Sequence, residues 1–88
     1  GAGIDLDEQR PGYKHIRIRP QPGGGLSFAR ARLKSMYGEI ESAWRIEGGS
    51  LEVEVTVPVG AEAVLDLVGV GDETLDSGVH SRRVALRD

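Results

Sequence analysis

The chain has 88 residues and a mass of 9.4 kDa, room for one small domain and too little for a multidomain enzyme. Its 39% hydrophobic and 28% charged content suits a folded globular chain rather than a disordered or membrane-spanning one. Eleven basic against fourteen acidic residues give a net charge of −3, which argues against the basic stripe that a nucleic-acid or anionic-membrane partner requires.

That charge is uneven: residues 1–49 hold eight basic and six acidic groups, and residues 50–88 hold three and eight. There is no cysteine, so neither a disulfide framework nor a thiolate zinc site supports the core, and a cytoplasmic home is favoured without excluding a secreted parent. Two histidines are too few for most metal centres. No basic segment followed by an apolar stretch opens the chain, so no secretory leader is read in it. The opening Gly1-Ala2-Gly3 without a Met reads as a piece of something longer.

Taken in chain order, residues 1–10 read as a linker or the end of a preceding domain, and residues 11–88 as one folded unit. Ile16 and Ile18 then point one way while His15, Arg17 and Arg19 point the other, a strand that stops at Pro20. Gly23-Gly24-Gly25 follows in a loop. A hairpin turns at Ser35-Met36-Tyr37-Gly38. It sets Lys34 opposite Glu39, Leu33 opposite Ile40, Arg32 opposite Glu41 and Ala29 opposite Trp44, unless a bulge at Gly38 shifts the pairing.

The clearest pattern comes next. Ile40, Ser42, Trp44 and Ile46 alternate with Glu39, Glu41, Arg45 and Glu47, and Leu51, Val53, Val55 and Val57 alternate with Glu52, Glu54 and Thr56. Gly48-Gly49 between them supplies the positive φ angles of a two-residue turn. Folding there sets Ile46 against Leu51, Trp44 against Val53, Ile40 against Val57 and Arg45 against Glu52, so one register satisfies both faces. Ala63, Leu65 and Leu67 form a further strand, and the tail adds short ones at residues 74–75 and 79–86. About seven short strands predict an all-β fold, an antiparallel β-sandwich, with Trp44 the largest core side chain.

The run Pro11-Gly12-Tyr13-Lys14-His15-Ile16-Arg17-Ile18-Arg19-Pro20-Gln21-Pro22-Gly23-Gly24-Gly25-Leu26 leads into Phe28-Ala29-Arg30-Ala31. Tyr37-Gly38-Glu39-Ile40, Ser42-Ala43-Trp44, residues 51–58 and Leu75-Asp76-Ser77-Gly78-Val79-His80 follow. This resembles the C-terminal β-sandwich domain of bacterial α-L-rhamnosidases, inverting glycoside hydrolases that release terminal L-rhamnose, and the resemblance covers nearly the whole chain. It implies a partner, the catalytic (α/α)6 barrel of the same parent chain. It implies also that the general acid, the general base and the sugar-binding aromatics lie in that barrel. No catalytic, cofactor-binding or metal-binding residue is carried over to this chain, and the implied role is structural.

Glu39 with Glu41, and Glu52 with Glu54, lie two apart on strands, so each pair shares a face at roughly 7 Å. Inverting glycosidases separate their carboxylates by about 6.5–9.5 Å, but any solvent-facing strand has this spacing, and a salt-bridged face is the plainer reading. Gly23-Gly24-Gly25 and Gly69-Val70-Gly71 lack the strand-to-helix setting of a phosphate cradle and read as turns. His15 with Arg17 and Arg19 makes a small basic patch on a solvated or domain-facing surface, and His80 carries no signal. Trp44 is in phase with the core; Tyr13 and Tyr37 fall at strand ends. So thin a sandwich is expected to lack a deep pocket for a sugar ring. The sequence leaves three functions open: a non-catalytic structural domain of an α-L-rhamnosidase, a carbohydrate-binding module with weak sugar contact, and a stand-alone protein-interaction sandwich.

Overall fold

The computed structural model describes residues 4–10 and 13 as strand backbone and residues 14–18, 27–67 and 69–86 with their side chains. The described residues form eight strands: β1 Ile4–Arg10, β2 Tyr13–Ile18, β3 Phe28–Ser35, β4 Gly38–Glu47, β5 Ser50–Val57, β6 Glu62–Leu67, β7 Gly71–Leu75 and β8 Gly78–Ala85. They form two four-stranded sheets, sheet I in the order β1-β2-β6-β7 and sheet II in the order β3-β4-β5-β8. The two pack as a sandwich. Among the described residues no helix is long and apolar enough to cross a membrane.

Sheet II forms from local signals. Gly48 and Gly49 adopt φ values of 58° and 77°, the left-handed turn that glycine reaches without strain. The pairing runs from Glu41↔Thr56 through Trp44↔Val53, Arg45↔Glu52 and Ile46↔Leu51 to Glu47↔Ser50, the register that alternation predicts. The β3–β4 hairpin pairs without interruption from Phe28↔Arg45 to Ser35↔Gly38, so no bulge forms at Gly38. The Ser35 hydroxyl closes that turn, donating to the Gly38 carbonyl at 2.7 Å and accepting from the Tyr37 N–H at 3.2 Å. Strand β8 then adds to β5, with Leu51↔Val84, Val53↔Arg82 and Val55↔His80.

Sheet I is assembled from distant pieces. Residues 4–10, expected as a linker or the end of a preceding element, pair with β2 from Ile4↔Ile18 to Arg10↔Tyr13, with a register shift between Glu8 and Arg10. They supply an eighth strand. The sandwich is antiparallel except at one pair: β2 and β6 run parallel, with Lys14↔Ala63, Ile16↔Leu65 and Ile18↔Leu67. A parallel pair needs a long crossover, and here the whole β3–β4–β5 meander provides it.

The inner faces meet in one core. Sheet I contributes Ile16, Ile18, Ala63, Leu65, Leu67 and Leu75, and sheet II contributes Ala29, Ile40, Trp44, Leu51, Val53, Val55 and Val57. Trp44 is 4% exposed, as its phase predicts. Three polar residues intrude. Lys14 is only 1% exposed on the same face as Ile16 and Ile18. The Ser42 hydroxyl and the Trp44 indole nitrogen are buried with no hydrogen-bond partner among the described residues.

Candidate functional site

The strand glutamates lie where alternation puts them, on the outer face of sheet II. Arg45, which reaches across from β4 to β5, donates from Nε to Glu52 Oε1 at 3.0 Å, and its Nη2 lies 2.9 Å from the same oxygen. Arg83 Nη1 approaches Glu52 Oε2 at 3.8 Å from β8, so Glu52 is held between two guanidinium groups. Arg32 Nε sits 2.9 Å from Glu41 and 3.9 Å from Glu39. Each is a cross-strand pair on a solvated face, where such contacts contribute little individually. The Arg45 guanidinium has its pKa raised by its hydrogen bond to Glu52 first, and then by the charges of Glu47 and Glu52.

A stronger pair closes the edge of the sandwich. Arg82 on β8 points inward with Val84 and His80, and Glu73 on β7 is in register with core residue Leu65. They meet between the sheets as a bidentate pair, Nε to Oε1 at 2.7 Å and Nη2 to Oε2 at 2.6 Å, while Arg82 Nη1 donates to the Ser81 carbonyl at 2.8 Å. The hydrogen bond from Arg82 is the main reason the Glu73 carboxyl lies below its ordinary pKa, opposed by burial and assisted by the charges of Arg82 and His80. His80 Nε2 donates to the Asp76 carbonyl at 2.6 Å and braces the β7–β8 turn. This tie was missed in the sequence, although an arginine in phase with Val84 at a sheet edge was the signal for it.

The small basic patch expected around His15 is instead a mixed one. Parallel pairing of β2 with β6 sets Arg17 beside Asp66, 3.5 Å from Nε to Oδ2, and β7 adds Asp72 opposite Asp66. One nitrogen of His15 and one carboxylate oxygen each of Asp66 and Asp72 lie within 4.8 Å of one another. Arg19 and Gly23-Gly24-Gly25 lie outside the described residues, as does the Tyr13 side chain. Gly69 and Val70 form the β6–β7 turn, with the Val70 N–H donating to the Leu67 carbonyl at 3.0 Å.

A trough of about 640 Å³ crosses the outer face of sheet II, where segments 28–30, 43–45, 52–54 and 81–83 lie side by side. Its depth comes from small side chains, Ala43 on β4 and Ser81 on β8, set between longer ones. Phe28, 63% exposed, stands on its rim. A sandwich this thin is expected to lack a deep pocket for a sugar ring; the space found lies on the open outer surface, where side chains of unequal length leave it.

Residues 3–83 match the bacterial alpha-L-rhamnosidase C-terminal domain family, a span that runs from the start of β1 into β8. An alpha-L-rhamnosidase of Formosa agariphila is 39% identical over 64 residues, covering 73% of this chain and 7% of that protein. One from Streptomyces avermitilis is 35% identical over 54 residues, 61% of this chain and 5% of the relative, and one from an Alteromonas species is 32% identical over 60 residues, 68% and 6%. Aligned stretches of this chain thus span less than a tenth of the relatives' lengths. No solved structure matches it significantly. A two-sheet sandwich matched from its first strand to its last places this chain in the family of bacterial α-L-rhamnosidase C-terminal domains.

Proposed function

We propose that the domain is a non-catalytic, structural part of an α-L-rhamnosidase that packs against the catalytic part of the same parent chain and stabilises it. The observation that carries this reading is the state of the carboxylates. Inverting glycoside hydrolysis needs a carboxylic acid of raised pKa beside the leaving oxygen, and a second carboxylate holding water on the opposite face of the sugar. Raising a carboxyl pKa takes burial or a like charge in a cleft. Here Glu41, Glu52 and Glu73 each face an arginine at 2.9 Å or less, and the shift at Glu73 is downward. Carboxylates paired in this way suit ties between strands and not proton donation.

The size of the relatives supports the same division of labour, because their alignments to this chain cover 7% of their length or less. The resemblance assigns the remaining chemistry to an (α/α)6 barrel. Deleting residues 4–88, the whole sandwich with β1, from the longer protein is expected to lower its melting temperature or its soluble yield, by uncovering the apolar flank of the catalytic part. A truncated protein as stable and soluble as the intact one would defeat the structural role.

A further inference from the structure

We propose that the trough on the outer face of sheet II binds a neutral sugar unit, making the domain a carbohydrate contact in addition to a structural one. The site stands on three central observations. Its volume, about 640 Å³, falls within the roughly 300–1,000 Å³ typical of small-molecule sites. Phe28 presents an aromatic ring at the rim, 63% exposed, with no apolar partner layer above it. Arg30 and Glu54 flank Ala43 in register on the same face, and neither makes a hydrogen bond or ion pair among the described residues.

The chemistry of the lining selects the ligand class. Arg45 and Arg83 are already occupied by Glu52, which fixes that wall of the trough. The charged groups left to receive a ligand are Arg30 and Glu54, one positive and one negative. Together they favour a neutral molecule that offers both acceptors and donors. A pyranose does this with adjacent hydroxyls: the Glu54 carboxylate accepts from two of them, and the Arg30 guanidinium donates to their oxygens in the same fork geometry it uses for a carboxylate. The C–H face of the ring is apolar and suits the Phe28 face. All these side chains stand on hydrogen-bonded strands, so little ordering is required when the sugar arrives.

Only the choice of sugar rests on the proposed parent enzyme. The test uses that longer protein in affinity electrophoresis, with a polysaccharide bearing terminal α-L-rhamnosyl groups cast in the gel and methyl α-L-rhamnoside as competitor. The intact protein should be retarded, and the competitor should relieve the retardation. Phe28→Ala and Glu54→Gln should each weaken it about tenfold, the scale of one lost charge-assisted hydrogen bond or stacked ring. Turnover of a small aryl α-L-rhamnoside and the melting temperature should stay unchanged in both, because both side chains are solvent-facing. No retardation of the intact protein, or retardation equal in both variants, overturns the proposal. Retardation and aryl turnover falling together would show instead that this face docks the catalytic part, and also overturns it. Retardation that depends on Phe28 in a protein with no rhamnosidase activity would sustain the sugar site while defeating the parent enzyme assigned above.

Discussion

The two sheets are of equal size but are built on different principles. Three strands of sheet II are consecutive in the chain and joined by tight hairpins, so most of its hydrogen bonds close over short loops. In sheet I the central pair, β2 and β6, joins residues separated by the entire β3–β4–β5 meander. Closing so long a loop costs entropy that only later contacts recover. Sheet II is therefore the part that forms on its own signals, and sheet I is ordered against it. Charge is used differently as well. Ion pairs between strands of sheet II lie on its outer face, whereas sheet I turns both Lys14 and Glu73 inward, the latter to meet Arg82 of sheet II.

That contrast is open to experiment, and the largest effect is expected in the shared core. Trp44→Ala removes the largest apolar side chain of sheet II and should cost about 3–5 kcal/mol, most of the stability of a domain this small. Chemical denaturation followed by circular dichroism measures it directly. An unchanged midpoint would mean that the ring is not the support on which sheet I is ordered.

The corner where the chain passes from β5 to β6 should come next. Gly60 has φ +93°, and a Cβ placed there would lie 2.7 Å from Cδ1 of Tyr37. Gly60→Ala should therefore cost about 1–3 kcal/mol through backbone strain and displacement of the ring. Rescue by Tyr37→Ala would separate the two causes: full recovery indicates the clash, and partial recovery leaves the strain.

The smallest effect belongs to the inter-sheet tie between the edge strands β7 and β8. Arg82→Ala should lower the melting temperature less than either change above, and the loss should depend on pH. Glu73 has its pKa lowered in the folded state, so its contribution is present above the ordinary carboxylate value of about 4.3 and fades as pH falls through the folded value. Melting curves of the parent sequence and Arg82→Ala should accordingly converge in acid. A difference that persists undiminished at low pH would show that Arg82 acts through packing of its stem and not through Glu73.

Legibility followed the same division between the sheets. The strands around Gly48-Gly49 could be registered residue by residue, because alternation on two flanking runs and a two-residue turn leave one solution. The β3–β4 pairing was readable for the same reason. Nothing local tells Ile16 that its neighbour is Leu65, and a parallel pair carries no turn to mark it. Residues 4–10 read as a linker because their own sequence carries no sign of the partner strand β2 that follows. The trough escaped for a related reason. Phe28, Arg30, Ala43, Glu54 and Ser81 are ordinary on their own strands, and they converge only when four strands lie side by side.

The central claim, that this domain supports a catalyst without being one, is tested most directly by incubating the purified chain with an aryl α-L-rhamnoside across the pH range. The account predicts no release of the aryl group at any pH, while the longer protein under the same conditions turns the substrate over. Hydrolysis by the chain alone that is abolished by a single Glu→Gln change at Glu39, Glu41, Glu52 or Glu54 would contradict it.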